Sequence, residues 1–136
     1  MYSPLFSEFL ENGETLRVYQ EDKLLFSSDK FGLLALLEYL DSLAPSYRQV
    51  VIFDKVMGNA AALLSVKADC REVYSPLGSQ FAIETLKKHD IKYNITELVP
   101  HILQANRIDM CPMEKLSIDK KPEEFYDAVR KVIKVT

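Results

Sequence analysis

The chain has 136 residues, of which 48% are hydrophobic and 27% charged, as in an ordinary globular protein with a substantial core. Its formal net charge of −3 argues against a basic surface for a nucleic-acid polymer or an anionic membrane. Because the apolar runs are too short to span a bilayer and the acidic first residues lack the basic start of a secretory signal, we expect a cytoplasmic protein with a single domain over residues 1–136.

Helix and strand patterns alternate along the chain. Residues 3–12 predict a short helix with Ser3 as its N-cap, and residues 15–20 and 23–27 alternate like the strands of a hairpin. Three helix–strand units follow, with helices at 31–43, 55–67 and 79–89 and strands at 49–53, 72–75 and 92–95. Residues 96–103 predict a helical turn, residues 106–121 an irregular segment and residues 122–132 a closing amphipathic helix.

This order of elements predicts an α/β fold. We expect a three-layer α/β/α sandwich around a mixed, mostly parallel five-stranded sheet. The first strand should be antiparallel to the others and lie at or near one side of the sheet.

The most informative stretch is VVIFDKVMGNAAALL, residues 50–64. A buried strand delivers Asp54 and Lys55 to the start of a helix built on Gly58 and three alanines. Ligands of open α/β sheets usually bind there, outside the carboxyl end of a strand and at a helix N-terminus. The sequence therefore predicts a ligand site at this position.

Each residue of this stretch also has a structural interpretation. Asp54 could act as a general base or ribose ligand, or as the N-cap of the helix. Lys55 opposes the helix dipole, which favours either a bound anion beside it or a salt bridge to a nearby acid. Gly58 is a ligand-binding candidate, although close packing of helix on sheet is its simpler role.

Two further groups are expected at the same edge of the sheet. Ser28, Asp29 and Lys30 follow the second hairpin strand, which should end beside the strand at 49–53. The Cys111–Glu114 segment should fold back over this edge and cover Asp54 and Lys55, as long irregular loops often do at functional sites.

The Cys111–Glu114 segment has two interpretations. Cys111 and Glu114 could present a thiol and a carboxylate to the site, or Cys111 could simply be a small buried residue. The catalytic candidates are therefore Asp54, Lys55, Cys111 and Glu114. Cys70 and Cys111 are expected to be reduced thiols rather than a disulfide.

The pieces DKVMGNAAALL, VYS, LVPHI and CPMEK together resemble a bacterial and archaeal family catalogued as domain of unknown function 1893. The resemblance implies membership of the cytidine deaminase-like fold superfamily. Family members usually carry a Gly-Thr pair shortly after an Asn-Arg, but here Ile108-Asp109-Met110 follows Asn106-Arg107. Asn106 and Arg107 are kept as ligand-binding candidates, and no role is carried over from the missing pair.

The resemblance does not carry zinc chemistry with it. A zinc deaminase needs a His or Cys with a Glu at one helix start and Pro-Cys-x-x-Cys at the next. The corresponding positions, residues 28–32 and 54–58, contain neither His nor Cys, and CPME has one Cys where zinc needs two. We expect no metal and no other cofactor.

Three functions remain open from the sequence. The first is a non-zinc protein that binds a small anionic or nucleotide-like ligand at Asp54 and Lys55. The second is a metal-independent enzyme for group transfer or hydrolysis that uses Asp54 and Lys55 with Cys111 and Glu114. The third is a non-catalytic interaction protein, and a homo-oligomer is compatible with all three.

Overall fold

A computed structural model describes residues 2–43, 46–103 and 111–133 of the chain. It contains six helices and five strands within these ranges. In chain order they are α1 (Ser3–Glu11), β1 (Leu16–Gln20), β2 (Lys23–Ser28), α2 (Leu34–Ser42), β3 (Val50–Asp54), α3 (Asn59–Lys67), β4 (Cys70–Ser79), α4 (Gln80–Lys88), β5 (Lys92–Val99), α5 (Pro112–Ser117) and α6 (Pro122–Val132). Of the described helices, none is long and apolar enough to cross a membrane.

The five strands form one mixed sheet in the order β2-β1-β3-β4-β5. β1 is antiparallel to both of its neighbours, whereas β3, β4 and β5 are parallel. The expected mostly parallel sheet with an antiparallel first strand is confirmed, with β1 second from one side. β2 and β3 run in the same direction but are not neighbours, because β1 lies between them.

Helices cover both faces of the sheet unequally. The links β2–α2–β3, β3–α3–β4 and β4–α4–β5 all advance in one direction, so right-handed crossovers place their helices on one face. The main core lies there and includes side chains of α2, α3, α4 and α6. The other face packs against α1 through a separate cluster of Tyr2, Phe9, Tyr19, Val51 and Phe53. The α/β sandwich is thus confirmed, with α1 as its thin layer.

Helix α3 occupies the centre of the larger layer. Every residue from Asn59 to Ser65 is buried, and α2, α4, α5 and α6 all contact this helix. A helix buried on all sides needs small residues where its neighbours approach, which explains Ala60, Ala61 and Ala62.

Several sequence-based boundaries were wrong. Helix α2 begins at Leu34 instead of residue 31, because Gly32 adopts a left-handed conformation with φ of 58°. Strand β4 continues through Pro76 and Gly78 to Ser79, whereas the predicted strand ended at residue 75. Strand β5 continues to Val99, where a helical turn was expected. The irregular segment contains helix α5.

The aromatic cluster beneath α1 generates a stability prediction. The ring of Phe53 is fully buried and pairs with five other rings, at centroid separations from 5.0 Å to 6.2 Å. We expect Phe53→Ala to lower the free energy of unfolding by about 3–5 kcal/mol. Phe31→Ala is the matched control, because Phe31 is 88% exposed and should change stability by no more than about 0.5 kcal/mol. Urea denaturation of both variants measures the difference, and equal effects would contradict this packing.

Candidate functional site

The candidate site is a cavity of about 400 Å³ at one edge of the sheet. Leu16 of β1 pairs with Ser28 on one side and with Asp54 on the other. The carboxyl ends of β2 and β3 therefore lie at the same end of the sheet, on either side of β1. The cavity walls come from the loop after β2, the segment after β3, the start of α3, and α5. Most of the lining is apolar, including Phe31, Leu33 and Ile102.

Asp54 lies at the cavity but does not cap a helix. The chain bends at Lys55 and is not yet helical at Met57, which pairs with Gly78 of β4 and donates its N–H to Leu77 O at 2.8 Å. The N-cap of α3 is Gly58, four residues later than expected. Among the described residues the Asp54 carboxylate is bonded only within its own turn, and it accepts the Val56 N–H at 3.2 Å.

The protein around Asp54 changes its acidity. The Asp54 residue is half-buried, and desolvation of its carboxyl raises the pKa to about 7, against a smaller lowering by hydrogen bonds from the Val56 and Lys55 N–H groups. None of the causes is a cationic side chain within the described residues. Near neutral pH this carboxyl is therefore divided between its protonated and ionised forms, so it can donate or accept a hydrogen bond.

Lys55 lines the cavity, but its ammonium group is bound on the α1 side of the sheet. Its side chain points toward α1, whereas Asp54 alternates with Val51 and Phe53 and so faces the larger layer, like Val50 and Ile52. Its Nζ donates to Asn12 O at 3.0 Å and to Glu14 O at 2.7 Å, and lies 4.5 Å from the centre of the Phe9 ring. Among the described residues Lys55 forms no salt bridge, because its ammonium group holds the end of α1 against β3. An anion beside Lys55 stays a prediction.

Glu114 occupies the anion position at the helix N-terminus. Its Oε1 accepts the N–H of Asn59 and its Oε2 accepts the N–H of Ile102, each at 2.6 Å. The side chain is only 2% exposed. An anionic acceptor is favoured at the first turn of a helix, and here the chain supplies its own. Gly58 permits this approach, since a Cβ there would lie 3.2 Å from Glu114 Oε1.

A buried polar network continues from Glu114. The Asn59 side chain donates to the Ser117 carbonyl at 3.2 Å and to the Ser117 hydroxyl at 3.0 Å. Its amide oxygen accepts a bond from the Thr85 hydroxyl. These bonds join α3 to α4 and α5 and fix the wall of the cavity.

The Cys111–Glu114 segment does cover the site, as a helix start rather than as an irregular loop. Cys111, Met113 and Glu114 line the same cavity as Asp54. The Cys111 N–H donates to Ile102 O at 2.8 Å, which anchors the segment. Both cysteines are free thiols, and burial raises the pKa of Cys70 to about 12. Glu114 is engaged by backbone groups, so of the two expected side chains only the half-buried Cys111 remains a candidate for chemistry.

The other predicted ligand-binding residues are Ser28, Asp29 and Lys30 at and after the end of β2, and Asn106 and Arg107. Ser28, Asp29 and Lys30 lie at the expected edge but do not line the cavity. The Lys30 ammonium pairs with Glu38, and its backbone N–H donates to Ser28 Oγ at 3.1 Å. Asn106 and Arg107 lie outside the described residues.

Sequence reasoning missed several walls of the cavity, notably Thr15, Phe31 and Ile102. Phe31 had a usable signal, because a large apolar residue stands beside a glycine in a turn. Thr15 had none, since its place at the edge depends on the position of β1 between β2 and β3.

Metal-binding side chains do not converge within residues 2–43, 46–103 and 111–133. No group of three or more His, Cys, Asp or Glu residues there could hold a metal ion.

Comparison with known proteins places the chain in a family. The model of a domain of unknown function, DUF1893, matches residues 6–133. The chain belongs to the DUF1893 family. A crystal structure of a DUF1893 family protein from Thermotoga maritima matches with a TM-score of 0.84 and 22% sequence identity, over 96% of this chain and 88% of that one. This match supports the fold alone, and no curated protein matches the chain.

The Glu114 carboxylate generates the second prediction. Glu114→Gln leaves one amide NH₂ facing a backbone N–H, so one buried donor loses its acceptor. We expect the free energy of unfolding to fall by about 1–3 kcal/mol. Glu97→Gln, at an exposed position of β5, is the matched control and should have little effect. Urea denaturation distinguishes the two, and a Glu114→Gln protein as stable as the control would rule out this role.

The Asp54 carboxyl generates a pH prediction. A pKa of about 7 in the folded state, above the ordinary value of 3.8, means that folded protein binds more protons than unfolded protein between those values. The contribution of the Asp54 carboxyl to the free energy of unfolding is therefore fully present below pH ~4 and is lost as pH rises through about 7. Asp54→Asn removes this dependence and keeps an oxygen for the Val56 N–H. We expect the melting temperature of the variant, minus that of wild type, to increase from pH 4 to pH 8.

Asp29→Asn removes a charge at the same edge and serves as the control. Asp29 is exposed and does not line the cavity. A difference for Asp54→Asn that stays constant across this pH range would contradict the desolvated state of the Asp54 carboxyl.

Proposed function

We propose that this DUF1893 protein binds a small nucleoside-like ligand in the cavity beside Asp54. The observation that carries the proposal is a carboxyl set in a mostly apolar cavity, with no cationic side chain acting on it among the described residues. Pockets of a few hundred Å³ with apolar walls and a few fixed polar groups are typical of small-molecule sites.

The charges at the cavity favour a neutral or weakly basic ligand over an anionic one. The Lys55 ammonium lies on the α1 side of the sheet, and the N-terminus of α3 is occupied by Glu114. A phosphate or carboxylate would approach Asp54 and Glu114, while the Lys55 ammonium group is already bound to the carbonyls of Asn12 and Glu14. A heterocycle with an N–H edge would instead find an acceptor at Asp54 and apolar contacts around it.

A metal-independent enzyme is the second candidate. Asp54 favours it, because a general acid or base works best with a pKa near the operating pH. Cys111 lines the same cavity and would be the available nucleophile. Incubation of a bound nucleoside with the protein, followed by chromatography, would reveal turnover.

We also propose that the sheet is of the cytidine deaminase-like type, which is what the sequence resemblance implies. The helix, hairpin and repeated helix–strand order supports this assignment. The residues present do not fit the zinc of a deaminase. The turns at 28–32 and 54–58 provide only Asp29 and Asp54 as metal-ligand types, and zinc deaminases use His and Cys there.

A ligand panel tests the proposal. Nucleobases, nucleosides, nucleoside monophosphates and inorganic phosphate are screened by thermal shift, and hits are measured by calorimetry. We expect at least one neutral base or nucleoside to bind, since a ligand at 100 times its dissociation constant stabilises by about 2.7 kcal/mol. A 5′-phosphate should not improve affinity.

Matched variants locate the binding. Asp54→Asn should weaken the hit about tenfold or more, because it loses a charged acceptor, whereas Asp29→Asn should leave the affinity unchanged. Stabilisation by phosphate or monophosphates alone would favour the anionic alternative. No binding by any neutral member of the panel would refute the proposal and favour an interaction protein.

A further inference from the structure

Phe31 stands at the rim of the cavity with its ring in solvent. It is 88% exposed, yet it lines the cavity together with Gly32 and Leu33. Exposure of a whole phenylalanine ring forgoes the stabilisation that its burial would bring. A ligand in the cavity could recover that stabilisation.

The backbone beneath this ring is held in place. Lys30 O accepts a bond from Thr15 Oγ1 at 2.5 Å, and Phe31 O accepts one from the Leu34 N–H at 3.3 Å. Gly32 has φ of 58°, which fixes the turn that separates Phe31 from α2. Since the main chain is anchored on both sides, the ring can reach over the cavity by rotation about its own side-chain bonds.

We propose that Phe31 selects flat aromatic ligands for the Asp54 cavity by stacking its ring over them. The inference rests on the proposed function and adds the reason that a planar ring is preferred. Asp54 would hold the polar edge of the ligand, and Phe31 would cover one of its faces. Stacking on an aromatic side chain requires a flat partner, so a saturated ring of the same size gains less.

Two amidines of equal charge test the inference. Benzamidine and cyclohexanecarboxamidine present the same group to a carboxylate, but only benzamidine has a flat aromatic ring. We expect wild-type protein to bind benzamidine at least fivefold more tightly by NMR titration. Phe31→Ala and Phe31→Leu should lose this preference, so that the two amidines bind with similar affinity. Phe31→Trp should retain the preference.

Phe31→Trp also reports directly on the proposed stacking of residue 31 over a ligand. The chain has no tryptophan, so the new indole is the only one in the protein. Its fluorescence should change on addition of benzamidine and remain nearly constant with the saturated amidine.

The outcomes separate this inference from the proposed function. Nucleoside binding that is unchanged in Phe31→Ala, together with an unchanged amidine preference, would overturn the inference and leave the proposed function standing. Failure of wild type to bind either amidine would also overturn the inference. Failure to bind any neutral nucleoside or base overturns the proposed function independently.

Discussion

The structure depends on one carboxylate, that of Glu114, which binds backbone N–H groups at Asn59 and Ile102. These positions are 55 and 12 residues away along the chain. Without the carboxylate, the N–H of Asn59 at the start of α3 would be buried without an acceptor. The bonds from Asn59 to Ser117 and Thr85 depend on the same placement of α5. One carboxylate thus organises the buried polar contacts of the larger helical layer.

This internal anion also determines the chemistry of the cavity. Helix N-termini at the ends of parallel strands often receive phosphate groups. Here the position is already filled, and the nearby ammonium of Lys55 binds carbonyl groups on the other side of the sheet. What remains at the cavity is an apolar wall, a desolvated carboxyl at Asp54, a thiol at Cys111 and an exposed ring at Phe31. The anion position at the start of α3 is therefore already occupied by a side chain of the protein itself.

The sequence was sufficient for most of the fold because its strongest signals are local. The run of apolar residues in β3, the alternation of the hairpin and the period of α6 identify their elements directly. The errors arose where tertiary contacts override local preference. Met57 delays the start of α3 by pairing with Gly78 of β4. The pairing of Leu77, Gly78 and Ser79 with β5 carries β4 past Pro76.

The candidate site was predictable in position but not in detail. Strand ends are readable from sequence, so Asp54 was located correctly. The direction of each side chain was not, because it depends on which face of β3 meets the larger layer. The partnership of Glu114 with Asn59 has no signal in a single sequence, since it joins segments that meet only after folding.

Asp54 and Lys55 are consecutive residues with separate constraints. Lys55 is constrained by its contacts at the end of α1, which are the carbonyl groups of Asn12 and Glu14 and the ring of Phe9. Asp54 lines the cavity, where the proposed ligand would contact it. A change of ligand among relatives would therefore alter position 54 together with the cavity wall and leave position 55 intact. Loss of α1 would instead remove the constraint on position 55 and leave position 54 unaffected. The two positions can therefore evolve independently.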